Sequence, residues 1–312
     1  MEKEEKISKR YTKNKFILLS FGGFLLIYFI VLTFNERIIM DDSRIIPKII
    51  HRSHPDFTSL KYPKDEFRLE CNQMHENWEI KEWTDIDIDV FVKNKYPQYY
   101  QRFSEMQPII RRVDAVRYLW MHYFGGVYLD MDVECIRPLD SLIESLPKGN
   151  TAWGGGYLEP FVMISTPGNI FWIYSFEQIL RDWRKYNVRS TAGPQGLARM
   201  VKNYVNDYGL DAVQLFSISD KDVADGIHPS GDVVAGEETW RWIESKEQFK
   251  ESKVPVEHKV GFFPGNLFDP TACLQAIKSC RWTHCHERKD EYIQKAYTVH
   301  HCMFSWKDQA KG

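Results

Sequence analysis

The chain has 312 residues, 43% of them hydrophobic, enough to bury one large core or two small ones, which excludes a wholly disordered chain. Its 41 lysines and arginines nearly balance 43 aspartates and glutamates, for a formal charge of -2, and the two signs are interleaved. Such a surface has no electrostatic footprint for a phosphate backbone, so nucleic acid is not an expected partner.

Residues 16–34 read FILLSFGGFLLIYFIVLTF, without a charge. At about 1.5 Å per residue this run nearly spans a hydrocarbon core of about 30 Å, and it has no polar face, so it predicts a transmembrane helix. The exit TFNERIIMDDS offers no small-residue cleavage site, which favours an anchor over a signal peptide. Lys3, Lys6, Lys9, Arg10, Lys13 and Lys15 precede the helix, whereas only Arg37 and Arg44 follow closely. This bias keeps a tail at 1–15 cytoplasmic and puts everything beyond a short stem at 35–43 in a lumen or outside, as in a single-pass type II protein. There the six cysteines can oxidise. Cys273, Cys280 and Cys285 suggest local disulfides, with His284 and His286 leaving a zinc knuckle as the alternative. No Asn-x-Ser/Thr sequon occurs.

Further along, RIIPKIIHRS (44–53) reads as a buried strand with His51 at its exit, and NWEIKEWTD (77–85) as a second. Thr84 or Asp85 can cap a helix running toward Lys95. Between Pro108 and Phe124, Val113, Val116, Trp120 and Tyr123 follow helical spacing, with Gly125 where a C-cap belongs. GGVYLD then forms a short buried strand, with Asp130 and Asp132 at its carboxyl end. Ligands of open α/β sheets bind outside that end, so His51 and the aspartates are expected to share one crevice. PFVMIST (160–166) predicts another strand and NIFWIYSFEQILRDWRKY (169–186) an amphipathic helix whose Trp172, Phe176 and Ile179 are packing residues. TAGPQG (191–196) turns into the helix LARMVKNYV; short strands and loops are expected after Asp207.

Two carboxylates one residue apart on a loop leaving a strand supply hard oxygen ligands for Mg²⁺ or Mn²⁺. A cation held there would neutralise a departing nucleotide diphosphate. A D-x-D triplet also occurs in solvated turns; the apolar strand just before this one favours the metal. Asp114 and Arg117, three apart on one helix face, form either a surface ion pair or a clamp for the hydroxyls and oxygens of a donor.

RVDAVRYLWMHYFGGVYLDMDVECIRPLD (112–140) resembles the central signature of glycosyltransferase family 32, the DXD enzymes that include Golgi mannosyltransferases and inositol-phosphoceramide mannosyltransferases. IPKIIH with His51, WTDID (83–87), TAGP and HHCMFSW are similar to its other segments, in order, over residues 44–307. The resemblance implies an α/β fold of GT-A type, Rossmann-like, behind the N-terminal anchor, in a Golgi or other secretory membrane. By matched position it implies Asp132 as direct metal ligand and Asp130 at the ribose or a metal-bound water. Asp114, Arg117, Tyr128 and His51 would hold the donor, Ser305 and Trp306 would close over the diphosphate, and His301, ahead of His300, would complete the metal site. An imidazole beside carboxylates suits Mn²⁺ better than Mg²⁺. The implied reaction retains anomeric configuration, with the departing diphosphate taking the proton of an acceptor hydroxyl; no carboxylate nucleophile is indicated.

GDP-mannose is the donor most implied, with UDP-galactose or UDP-N-acetylglucosamine as alternatives, and the acceptor is a glycan or a sphingolipid headgroup. The chain ends six residues past Trp306 without further apolar spans, which weighs against the lipid. Glu159 and Pro160 precede the FVMIS strand where the family often has asparagine, and Phe304 stands where glycine is expected before Ser-Trp. A haloacid-dehalogenase-like phosphatase would need threonine where Glu134 stands. A silent sugar-binding protein would not need Asp114, Arg117, Asp130 and Asp132 all intact.

Overall fold

Ile49 and Ile50 continue an apolar run that is hydrogen-bonded on both sides, so Ile49–Ser53 forms a central strand, β1. The computed structural model describes residues 45–61, 63–146, 152–155, 159–209, 213–215, 259–262, 268 and 296–301, all in the second of two compact units, 44–312. Among them no helix is long and apolar enough to cross a membrane. The anchor expected at 16–34 and the cysteine cluster at 273–285 lie outside the described residues.

After β1 come helix α1 (Lys64–Met74) and strand β2 (Glu79–Trp83), parallel to β1 with Ile50 opposite Ile80. Thr84 then caps α2 (Asp85–Lys95) through a reciprocal box, its hydroxyl accepting from the Asp87 amide while the Asp87 carboxylate accepts from the Thr84 amide. Helices α3 (Pro97–Ser104) and α4 (Ile110–Tyr123) follow. Gly125 and Gly126, at φ 65° and 85°, turn the chain into β3 (Gly126–Leu129). A Cβ on Gly126 would meet the Ile49 carbonyl oxygen at 2.6 Å, so β3 can lie beside β1 only with glycine there.

β4 (Val133–Cys135), α5 (Asp140–Ser145), β5 (Ala152–Gly155) and β6 (Glu159–Ser165) come next. They are followed by α6 (Ile170–Asp182), α7 (Val188–Thr191), α8 (Pro194–Tyr208), β7 (Val213–Leu215), β8 (Val260–Phe262) and β9 (Thr298–His300). The main sheet has the order β2-β1-β3-β6-β5-β8-β7, while β4 and β9 pair separately. It is mixed: β6 runs antiparallel to both β3 and β5, and the other neighbours are parallel.

Alternation along the strands splits the core in two. Tyr128 and Met163 face a layer built on α4, α6 and α8, where Trp120 and Trp172 are buried. Ile50, Val127, Leu129, Val162 and Ile164 face the opposite layer, with Cys71 of α1, Leu142 of α5 and Cys135 of β4. A disulfide joins Cys71 to Cys135 across 64 residues and fastens α1 to β4. The α/β expectation is met, with helices on both faces of the sheet.

Candidate active site

β3 delivers the chain to the acidic turn while its ladder is still holding. The Asp130 amide donates to the Phe161 carbonyl of β6 at 2.9 Å, and the Val133 amide closes the turn on the Asp130 carbonyl at 3.1 Å. β9 pairs with β4 so that His300 stands opposite Val133. Its Nε2 lies 3.4 Å from Asp132 Oδ1, and its ring stacks on Phe161 with centroids 4.3 Å apart. Asp130, Asp132 and His300 each offer one ligand atom, all within 4.8 Å of one another. The side chains keep 28%, 14% and 14% of their surface exposed, so the cluster is sheltered yet open to a small cation.

A second set backs the first. Arg117, buried on α4, pairs with Asp114 one turn before it and donates from Nη1 to Asp130 Oδ1 at 3.2 Å and to the Pro160 carbonyl at 2.8 Å. The Tyr128 hydroxyl donates to the same Asp130 oxygen at 2.6 Å, and the Arg117 guanidinium lies 4.9 Å from the Tyr128 ring centroid. Burial raises the Asp130 pKa; Arg117 opposes the shift and the like charge of Asp132 adds to it. Burial likewise raises Asp114, against the pull of Arg117. For Arg117 burial disfavours the charge, but Tyr128, Asp114 and Asp130 outweigh it and hold the pKa above its ordinary value. Arg117 pairs with Asp114 and Asp130, while the Asp132 carboxylate faces His300 across the turn.

Two expectations are corrected by this geometry. His51 does not share the crevice. Alternation along β1 sends its ring into the aromatic layer between Trp83 and Trp120, where it is fully buried. Its Nδ1 accepts from the Trp83 indole at 3.2 Å and its Nε2 donates to the Gly125 carbonyl at 2.9 Å, so both nitrogens serve the protein. Of the two histidines near the end of the chain, His300 faces the aspartates rather than His301. His301 turns to the other side, where Nε2 donates to Glu134 Oε2 at 2.8 Å and the ring stacks on Phe67 at 4.3 Å. Its amide donates to the Asp132 carbonyl at 2.9 Å, so His301 supports the turn through its backbone. Ser305, Trp306 and Phe304 lie outside the described residues. Asp114, Arg117, Tyr128, Asp130 and Asp132 are brought together as expected.

The sequence reading missed Arg52, which reaches the turn from beneath, and the Glu134–His301 pair; the alternation that hides His51 is also the signal that puts Arg52 on the opposite face. A third cluster, Cys71, His75 and Cys135, also has ligand-type atoms close together. It is structural: the sulfurs form the disulfide, while His75 Nδ1 donates to the Cys71 carbonyl and Nε2 accepts from the Leu139 amide. Two carboxylates and an imidazole offer the mixed oxygen and nitrogen donors of a small divalent cation site.

Residues 64–147 match the family model described as "Glycosyltransferase sugar-binding region containing DXD motif". The chain is 32% identical over 176 residues to mannosyl phosphorylinositol ceramide synthase CSH1 of Saccharomyces cerevisiae, covering 55% of this chain and 46% of that protein. It is 30% identical over 167 residues to SUR1, a synthase of the same description from that yeast, covering 52% and 43%. To inositol phosphoceramide mannosyltransferase 3 of Schizosaccharomyces pombe it is 31% identical over 134 residues, covering 39% and 37%. The chain thus spans less than half the length of each of these relatives. The family resemblance read from residues 112–140 is borne out by these matches, and the range matched by the family model includes Asp130 and Asp132.

Proposed function

We propose that the chain is a metal-dependent, retaining glycosyltransferase of GT-A type that moves a hexose from a nucleotide sugar to a hydroxyl group. The favoured donor is GDP-mannose and the favoured acceptor the headgroup of an inositol-phosphate ceramide lipid, with a glycan as the alternative. The convergence of Asp130, Asp132 and His300 beyond the carboxyl end of β3 carries this reading. The relatives' names favour mannose and the lipid headgroup.

Asp130, Asp132 and His300 would hold the cation, which when bound supplies positive charge to a departing diphosphate. Arg117 fixes Asp130 with one arm and Asp114 with the other, which holds the carboxylates apart and orients them. Asp114, partly exposed on α4, would accept from a donor hydroxyl. In the transfer the bond from the anomeric carbon to the phosphate oxygen breaks, the bond to the acceptor oxygen forms on the same face, and the acceptor proton passes to the leaving diphosphate.

A secretory compartment, with the chain anchored by residues 16–34 and its catalytic part luminal, agrees with the Cys71–Cys135 disulfide, which persists under oxidising conditions. The test is transfer by the full-length chain in detergent micelles. GDP-mannose, UDP-galactose and UDP-N-acetylglucosamine, each labelled in the sugar, are offered with inositol phosphoceramide or a mannan oligosaccharide. Label moving from GDP-mannose to the lipid, dependent on Mn²⁺, is the expected result. Transfer from a UDP-sugar alone would replace the donor, transfer to the oligosaccharide alone would replace the acceptor, and no transfer from any donor would refute the reading.

A further inference from the structure

The acidic turn has an unusual neighbour on its buried side. Ile50 and Arg52 point to the same face of β1, and where Ile50 joins the apolar layer with Val127 and Leu129, Arg52 brings a charge. The Arg52 side chain is fully buried. Nη1 donates to the carbonyl of Asp130 and Nη2 to that of Val133, each at 3.3 Å. These carbonyls are the first and last of the four-residue turn that displays Asp130 and Asp132. Among the described residues no carboxylate lies within ion-pair distance of the guanidinium, and its Nε has no partner. Burial pushes its pKa down to about 10, so the cation is retained at neutral pH at a desolvation cost. Glu82 and Asp130 oppose that shift from a distance, so a buried charge held without a close ion pair among the described residues, and forked across both ends of one turn, calls for a role that a neutral residue could not fill.

We propose that Arg52 is a positioning residue: its guanidinium clamps the turn from 130 to 133 from below and presets Asp130 and Asp132 in the geometry that receives a divalent cation. The inference rests on the metal reading of the site. Its sign is not trivial, because a fixed positive charge beneath the turn repels the incoming cation. If charge dominated, removing Arg52 would tighten metal binding; if the clamp dominates, removal loosens it.

The decisive experiment is a Mn²⁺ titration of the full-length chain followed by the paramagnetic resonance signal of free Mn²⁺, with no donor or acceptor present. Wild type, Asp132→Ala, Arg52→Met and Arg52→Lys are compared, and thermal unfolding is followed in parallel. Wild type is expected to take up Mn²⁺ and Asp132→Ala to fail. Arg52→Met is expected to fold, because exchanging a buried cation that has no close ion pair among the described residues for an apolar side chain is tolerated and the Asp130 carbonyl keeps the Val133 amide as donor. Its Mn²⁺ dissociation constant should rise about tenfold or more, the usual scale for losing a group that orients a metal ligand. Arg52→Lys keeps the charge without the fork and should also weaken binding. Folded variants that bind Mn²⁺ as tightly as wild type, or more tightly, overturn the clamp while leaving the metal site standing. Failure of both variants to fold makes Arg52 a folding element and also overturns the proposal. A wild-type chain that binds no Mn²⁺ overturns the metal reading itself, and this inference with it.

Discussion

Both ring nitrogens of His51 are committed inside the aromatic layer, and burial lowers its pKa from 6.5 to about 3, against the hydrogen bond to Gly125, which raises it. The folded chain therefore holds His51 neutral while the unfolded chain protonates it near the ordinary value. Its contribution is complete above about pH 6.5 and is lost as the pH falls toward 3, at roughly 1.4 kcal/mol per unit. Between pH 6.5 and 4.5 this amounts to about 2 kcal/mol, which denaturant unfolding at the two pH values should show and which a His51→Gln variant should flatten. Asp114 and Asp130 act with the opposite sign. Their pKa values are raised in the folded chain, so without metal they gain stability on acidification while losing the ionised form that binds a cation. Mn²⁺ binding is therefore expected to fade at a pH above the ordinary carboxylate range. His300→Ala should weaken Mn²⁺ binding at least tenfold by the same resonance titration, whereas His301→Ala, which removes a ring held by Glu134 and Phe67, should weaken it less. At this scale the sequence displayed the aspartates and the Asp114–Arg117 pair. It could not tell His300 from His301, because the two are adjacent and only the pairing of β9 with β4 decides which one faces Asp132.

The elements divide by how much of their stabilisation is local. The helix from Asp85 was legible because Thr84 and Asp85 are both natural cap residues, with the structure choosing Thr84, and the helix at 170–182 because its apolar stripe is wide. Helices α1 and α3 were missed. α1 opens at Pro63 with no side-chain cap and buries only Phe67 and Cys71, so its support comes from packing and from the disulfide rather than from periodicity. The disulfide itself could not be read, because nothing in the spacing of Cys71 and Cys135 sets them apart from the other cysteines. It closes a loop spanning 64 residues, and loop-closure entropy of that size is worth about 4 kcal/mol. The double variant Cys71→Ser with Cys135→Ser should lose stability on that scale in denaturant unfolding. Gly126→Ala should also be strongly destabilising, since φ 85° and the approach to the Ile49 carbonyl both reject a Cβ; a melting temperature within a degree of wild type would contradict that packing.

At the scale of the whole molecule, α/β alternation predicted the layered architecture but not the reversed strand β6 beside β3, which depends on contacts distant in sequence. That reversal matters for the site, since β6 supplies Phe161, against which His300 stacks, and the Pro160 carbonyl that holds Arg117. In the proposed function, three groups from two distant segments form one cation-dependent nucleotide-sugar site. The most direct measurement is hydrolysis of a panel of GDP- and UDP-sugars by the full-length chain, with and without Mn²⁺, beside Asp132→Ala; no acceptor is needed. Cleavage of one donor only in the presence of metal, abolished by the substitution, is the predicted result. Cleavage that ignores both metal and substitution, or a folded chain that neither cleaves nor binds any donor by calorimetry, would contradict it.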